Sequence, residues 1–347
     1  MTLKERIDTF SELGRILRDS LEGKDTGITS DLENLINSQQ LHNPWFTPGN
    51  VLLAIRSVAD ELTVENLTEW TGNYPELATV KDPLNIGVIM AGNIPLVGFH
   101  DFLSVLITGN KIISKVSSKD YELIVFISEV LSRINPSFGV RINFISGFLR
   151  GFDGVIATGG DNSSRYFEYY FRDYPNIIRK NRTSIALLDG TETPEELEAL
   201  GRDIFSYFGL GCRNVSKVYL PSGYDIRTLT LNWMSYSSLT DHNKYANNYD
   251  FNKAVCLVNN EKFTDTGYLI IKENTGIASP VAMLYYEYYD SPVLVQQKID
   301  SMKEKIQCIV GRKNTGFGKA QQPKLWDFAD GIDTIDFLLK KIRVRIL

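Results

Sequence analysis

Four short stretches of this chain carry side chains suited to chemistry. The first is Gly209-Leu210-Gly211-Cys212-Arg213. A thiol attacks carbonyls as the thiolate and needs space for an incoming acyl group, which two glycines in a tight loop supply. A free thiol ionises near pH 8.5, so only about a few per cent is thiolate at neutrality. A helix is expected to end at these glycines, and a helix C-terminus disfavours an anion. Activation would then come from Arg213, from loop amides or from the charge of a bound cofactor. Taken alone, the cysteine also reads as a small buried residue. The second stretch is Ala91-Gly92-Asn93-Ile94-Pro95, where the Asn93 amide can donate to a developing oxyanion or serve as an ordinary turn residue. The third is Lys115, at the end of an apolar run, where a charge must reach a ligand or snorkel to water. The fourth is Thr158-Gly159-Gly160, at a strand-to-helix junction whose free amides attract phosphate. It is not a G-x-G-x-x-G fingerprint.

The elements that must position these residues alternate. Apolar runs at Ile86–Met90, Ile112–Val116, Arg141–Ile145 and Val155–Ala157 read as strands. Helices are expected over 95–107, 119–133 and from Asp161 through Phe171. Such alternation implies a parallel sheet covered on both faces, with ligands beyond the carboxyl ends of its strands. Asn93, Lys115 and Thr158–Asp161 all fall at such ends. Further on, Ser184–Leu188 and Ser216–Leu220 read as strands. Thr193-Pro194-Glu195-Glu196 is a capping box opening a helix that runs to about Phe208. Strand-like runs at Ala254–Val258, Tyr268–Ile271 and Val281–Tyr286 and a helix near 292–305 complete a second region. Residues 311–331 form a glycine-rich loop long enough to be functional or packed on a neighbour. The end, from Ile335 to Leu347, reads as a strand. At the front, Leu3, Ile7, Phe10, Leu13, Ile16, Leu17 and Leu21 share one helical face.

The 347 residues are 43% hydrophobic and carry a net charge of −5, which implies a full core and excludes a nucleic-acid footprint. Three cysteines and three histidines, widely spaced, give neither a disulfide framework nor a metal site. Cys256 and Cys308 lie in apolar runs and read as core. No apolar run is long enough to span a membrane, and the N-terminus lacks the apolar core of a signal peptide, so a cytoplasmic protein is expected.

Together these stretches resemble a known family order. NIGVIMAGNIPLVGFHDFLSVLITGNKIISKVSS is similar to the cofactor-domain core of aldehyde dehydrogenases: a strand, an Asn-x-Pro turn, a helix, a Gly-Asn turn and a strand ending in lysine. ATGGDNSSRYF resembles their later phosphate-side turn, and GLGCRNVSKVYLP their catalytic cysteine loop. Within that superfamily, CRNVS and GFGKAQQPKLWDFADGIDTIDFLL resemble the long-chain acyl-CoA reductases, the reductase component of bacterial luminescence-type fatty acid reduction. The resemblance spans roughly residues 84–340. It implies an aldehyde-dehydrogenase-like α/β fold with two α/β domains, one Rossmann-like and one catalytic. The expected organisation is a helical segment over 1–82, a cofactor-binding domain over 83–182, a catalytic domain with Cys212 over 183–330, and a terminal strand over 331–347 packing on the body or a partner subunit.

Carried over residue by residue, the resemblance makes Cys212 the acyl-accepting nucleophile and Asn93 the oxyanion donor. Lys115 would contact the adenosine ribose or its phosphate, and Thr158, Gly159 and Gly160 would lie beside the cofactor. Cys212, Asn93 and Lys115 are expected in one cleft. Four departures matter. Aldehyde-oxidising members carry a glutamate base in a Glu-Leu-Gly-Gly stretch, whereas IIRKNRTSIALL has no carboxylate, as suits a thioester reductase that needs no hydrolytic water. Their ribose-binding carboxylate is replaced by Ser118, so Ser117, Ser118 and Lys119 are available for a 2′-phosphate; NADPH is expected, with NADH as the alternative. Their second ribose-side glutamate is missing from TGIASPV, and their oligomerising hairpin has no obvious counterpart. The expected reaction is reduction of a fatty acyl thioester, on CoA or an acyl-carrier protein, to the aldehyde through acyl-Cys212. An acyl-protein synthetase partner and a homo-oligomer are also implied. The rivals are an acyltransferase without hydride transfer and a non-catalytic scaffold.

Overall fold

Thr2 and Glu5 cap the first helix reciprocally, the Glu5 amide donating to the Thr2 hydroxyl and the Thr2 amide to the Glu5 carboxylate. The computed structural model describes residues 1–79 and 82–342, which divide into two units, residues 1–79 and 82–181 with 324–342, and residues 182–323.

The first unit begins with helices α1 (Leu3–Leu21), α2 (Thr29–His42), α3 (Pro48–Glu61) and α4 (Val64–Gly72). Phe10, Leu13 and Leu17 of the expected apolar face of α1 are fully buried. There follow β1 (Asn85–Ile89), α5 (Phe99–Ile107), β2 (Lys111–Lys115), α6 (Tyr121–Ile134), β3 (Ile142–Phe144), β4 (Gly154–Thr158), α7 (Asp161–Phe171) and β5 (Asn176–Arg179). The five strands are all parallel in the order β3-β2-β1-β4-β5. Strand order reverses at β1, which is the place where doubly wound sheets bind ligands. A single core joins β1 and β2 to α1, α3, α4, α5 and α6.

Arg179, at the end of β5, is buried. Its guanidinium makes two bonds to Asp101 of α5, at 2.6 and 3.2 Å, and others to the Ala329 carbonyl and the Thr334 hydroxyl. Two charges leave water together here, and the fork geometry satisfies both.

The second unit holds β6 (Thr183–Leu187), α8 (Pro194–Phe205), β7 (Val215–Pro221), α9 (Arg227–Leu231), α10 (Asn243–Val258), β8 (Thr264–Asp265), β9 (Ile270–Glu273), β10 (Met283–Tyr289), α11 (Pro292–Ser301) and β11 (Ile306–Val310). Its sheet runs β11-β6-β7-β10-β9-β8, parallel except at β8. One face packs on α8 through Leu200, Ile204 and Phe205, and the other on α11 through Val295 and Ile299. The expected capping box at Thr193 and Glu196 is present.

Four expectations change. The apolar run Ala254–Val258 is not a strand but the last turn of α10, because Tyr245, Tyr249, Asn252 and Cys256 recur on one buried helical side. The strand expected from residue 335 is helical as far as residue 342, as α12 (Thr334–Asp336) and a continuing π turn over Phe337–Lys341, with Ile335, Leu338 and Ile342 fully buried in the first unit. Residues 343–347 of that expected strand lie outside the described residues. The helix expected from residue 95 starts at Phe99, after a turn in which Leu96 takes a φ of 57°. The helix expected to reach Phe208 ends at Phe205.

Phe102 has no exposed surface at the centre of the first unit's core. Phe102→Ala should lower unfolding stability by about 3–5 kcal/mol, read as a fall in the urea midpoint; an unchanged midpoint would contradict this packing.

Candidate functional site

The register of the first unit's sheet decides which loops become neighbours. Ile89 lies opposite Lys115 on β2 and Ala157 on β4, so the three strands end level. The Met90 amide extends the ladder by donating to the Lys115 carbonyl at 3.0 Å. Asn93, Lys115, Ser117, Ser118 and Thr158–Gly160 therefore emerge at one end of one sheet.

The loops after β1 and β2 interlock. A Cβ on Gly92 would lie 2.5 Å from Ser117 Oγ and 2.7 Å from Ser117 Cβ, so only glycine permits this approach. Ser117 Oγ also accepts from the Lys119 amide at 3.2 Å. Asp120 reaches the other way, its Oδ2 accepting from the Leu96 amide at 2.9 Å. Asp120 is buried, its Oδ1 has no hydrogen-bond partner, and burial pushes its carboxyl pKa well above the ordinary aspartate value. Asn93 is exposed on the turn that Asp120 holds.

Lys115 is half-buried and, among the described residues, has no carboxylate partner, while Ser118 and Lys119 are exposed. Gly160 is the N-cap of α7 and provides no side-chain cap, and a Cβ there would meet nothing nearer than 3.7 Å. The first amides of this 11-residue helix, which have no partner within the helix, lie at the sheet end that bears Lys115. That is the donor set a dinucleotide phosphate needs. Gly159 has another reason for being glycine: its Cβ would press on Ser163 and Phe167 at 2.8 and 2.9 Å.

In the second unit, Cys212 is exposed, Cys308 half-buried and Cys256 buried. The expectation that both other cysteines are core holds fully for Cys256 alone. Cys212 occupies a turn closed by the Asn214 amide donating to the Gly211 carbonyl at 3.0 Å. Tyr207, Phe208 and Gly209 precede it with φ of 52°, 58° and 77°. The Phe208 ring, buried, lies 4.4 Å from that of His242. On β6, Ser184 Oγ donates to the Cys212 carbonyl at 3.0 Å and accepts from the Cys308 amide at 3.2 Å.

Asn214 is buried beneath this turn. Its Oδ1 accepts from the Gly211 amide at 2.8 Å, and its Nδ2 faces the carbonyls of Asp203, Ile204 and Ser206 at 3.1, 3.3 and 2.8 Å. Asp203, also fully buried, accepts from the amides of Gly318 and Ala320 at 2.6 and 2.9 Å. The glycine-rich loop after residue 311 is thereby pinned to α8. A cavity of about 390 Å³ lined by Glu195, Glu196, Ala199, Arg312, Gly316 and Phe317 lies at the first turn of α8, the end away from Cys212. Asn93 and Lys115 belong to the first unit and Cys212 to the second. Among the described residues, no group of three or more His, Cys, Asp or Glu side chains is placed to hold a metal ion, and no helix is long and apolar enough to cross a membrane.

Sequence reasoning passed over Asp120, Asp203, Ser184 and Asn214. Only Asn214 carried a signal, a turn-forming amide two residues after a cysteine among glycines.

No protein-family model matches this chain, and no curated protein sequence matches it. Solved structures do. An aldehyde dehydrogenase of Bacillus cereus, in its NAD+ complex, is 13% identical with a TM-score of 0.61, the match covering 89% of this chain and 72% of that one. An NAD-dependent aldehyde dehydrogenase of Sinorhizobium meliloti is 11% identical with a TM-score of 0.62 over 89% and 70%. The NAD+ complex of a Mycobacterium tuberculosis aldehyde dehydrogenase is 13% identical with a TM-score of 0.58 over 82% and 69%. The chain therefore has the aldehyde dehydrogenase fold, a Rossmann-like parallel-sheet domain with a second sheet domain, as its sequence resemblance implied.

Burial pushes the Asp203 carboxyl up to about 6. Between about pH 4 and that value the folded chain keeps a proton that the unfolded chain releases. This group's contribution therefore destabilises the fold as pH rises through 6. Asp203→Asn should flatten that part of the pH dependence of the urea midpoint, and an unaltered profile would rule the carboxyl out.

Proposed function

We propose that this chain reduces a fatty acyl thioester to the aldehyde with NADPH, through an acyl-Cys212 intermediate. The observation that carries the proposal is the exposed Cys212 thiol on a turn braced by Asn214 and Ser184, in a chain with the aldehyde dehydrogenase fold. The direction of reaction is supported by the residues that stand where an oxidising member has its glutamate base. Here IIRKNRTSIALL brings no carboxylate, and Arg179 within it is committed to Asp101. A deacylating water has no base in that stretch, whereas reductive release needs none.

In this reading the Cys212 sulfur bonds to the acyl carbon and the carrier thiol departs with its sulfur. Asn93 and a backbone amide of the Cys212 turn donate to the oxyanion of the tetrahedral species. When bound, NADPH supplies the hydride that reduces the acyl-cysteine, and its solved neighbours in NAD+ complexes support a nicotinamide cofactor. Lys115, the Thr158–Gly160 turn and the first amides of α7 hold its phosphates; Ser118 and Lys119 receive the 2′-phosphate. The thiol ester carbon, now bearing hydrogen, leaves as aldehyde while the sulfur keeps the bonding pair. Acyl-CoA or an acyl-carrier protein is the substrate, an acyl-protein synthetase and a second copy of the chain are its proposed partners, and the cytoplasm is its proposed location.

Incubation with radiolabelled acyl-CoA should leave label on the wild-type protein and none on Cys212→Ala; an acylated alanine variant would end the assignment. Oxidation of NADPH that depends on acyl-CoA separates reductase from acyltransferase, because a transferase consumes no reductant. Lys119→Ala should raise the KM for NADPH by roughly tenfold, the equivalent of about 1.4 kcal/mol, and leave that for NADH unchanged. An equal rise for both cofactors would place the 2′-phosphate elsewhere.

A further inference from the structure

A kinked stretch over residues 206–210 joins the end of α8 to the turn that bears Cys212, and the last four carbonyls of a helix have no partner within it. They carry the negative end of the helix dipole, which opposes a thiolate nearby. Asn214 changes that local field. Its Nδ2 faces the carbonyls of Asp203 and Ile204, two of those last four, together with Ser206 just beyond the helix. Its Oδ1 meanwhile takes the Gly211 amide, and its own amide closes the turn onto the Gly211 carbonyl. One buried side chain thus ties the helix end to both sides of the cysteine.

We propose that Asn214 is a positioning residue that makes the Cys212 turn compatible with a thiolate, by gathering the free carbonyls of α8 onto its side-chain amide. This deepens the reading of Cys212 as nucleophile and rests on it. Ser184 provides the contrast: its hydroxyl also fixes the turn, through the Cys212 carbonyl, but touches none of the α8 carbonyls. Among the described residues, the charged and titratable groups on the elements that meet the turn include Arg213 within it, Tyr207 before it, Arg202 and Asp203 on the last turns of α8, Cys308 on β11 beside Ser184, and His242 and Tyr245 against Phe208. Asp203 is the one whose backbone carbonyl Asn214 holds, and its carboxylate is turned instead to Gly318 and Ala320.

The experiment is the pH dependence of Cys212 alkylation by iodoacetamide, followed on the full chain by mass spectrometry of the labelled peptide. In the wild type the midpoint should lie below the ordinary thiol value of about 8.5. Asn214→Ala should move it up by about one unit, which is roughly a tenfold slower reaction at neutral pH. Ser184→Ala should leave the midpoint in place, whatever it does to the absolute rate. A wild-type midpoint at or above the ordinary value overturns the proposal without any variant. So does an unmoved midpoint in Asn214→Ala, or an equal shift in both variants, which would assign the effect to loop order. Should Asn214→Ala not fold, Asn214→Ser retains a donor and a smaller upward shift is expected, with no shift counting against the proposal. Alkylation that behaves as described while acyl-CoA leaves no acyl-enzyme keeps the role of Asn214 and rejects the reductase. Intact acylation with an unmoved midpoint does the reverse.

Discussion

Parallel pairing on both edges of β1 is the constraint from which the arrangement of the first unit's candidate residues follows. Hydrogen bonds to β2 and β4 fix all three strands in one register and end them at one level. Three loops distant in sequence are thereby delivered side by side, before any side chain acts. Glycine at position 92 and serine at 117 then let two of those loops touch. The second unit uses the same device on a smaller scale, with β6 beside β7 placing the Ser184 hydroxyl under the Cys212 carbonyl.

The loops themselves are held by buried polar side chains. Burying a polar group without a partner costs about as much as a lost hydrogen bond or more, so each such group commits nearby backbone to one geometry. Asp120 commits the turn at Leu96, Asp203 commits the loop at Gly318 and Ala320, and Asn214 commits the end of α8. Lys217 follows the same rule within the β7–β10 pair, where its ammonium meets Glu287 at 2.6 Å and the Asn274 carbonyl at 2.9 Å. None of these groups is near the surface, yet they decide what the surface residues of each loop present.

Most of the strand content was legible because apolar runs bounded by glycine and asparagine mark buried parallel strands. β5 and β11 escaped notice: one is four residues long with a terminal arginine, the other follows a charged stretch and carries Gln307 and Cys308. The run ending α10 misled because its helix is not amphipathic along its whole length, with Phe251, Leu257 and Val258 exposed while Tyr245 and Tyr249 are buried. Cys212, Asn93, Lys115 and the glycines stand out as candidates in the sequence because each has a characteristic neighbour in the chain. Asp120 and Asp203 could not, since their partners are amides 24 and more than 100 positions away. A long-range hydrogen bond to backbone leaves no mark on the residue type of its acceptor.

Tyr207 and Phe208 adopt left-handed backbone, a conformation that costs non-glycine residues roughly 1–2 kcal/mol each. Both rings are buried, and that of Phe208 rests against His242 and Tyr245. Replacement by glycine would relax the chain but empty the space the ring fills; replacement by another large residue would keep the tension and spoil the fit. The shape of the side chain at position 208 is therefore tied to those at 242 and 245, more than thirty residues further along the chain.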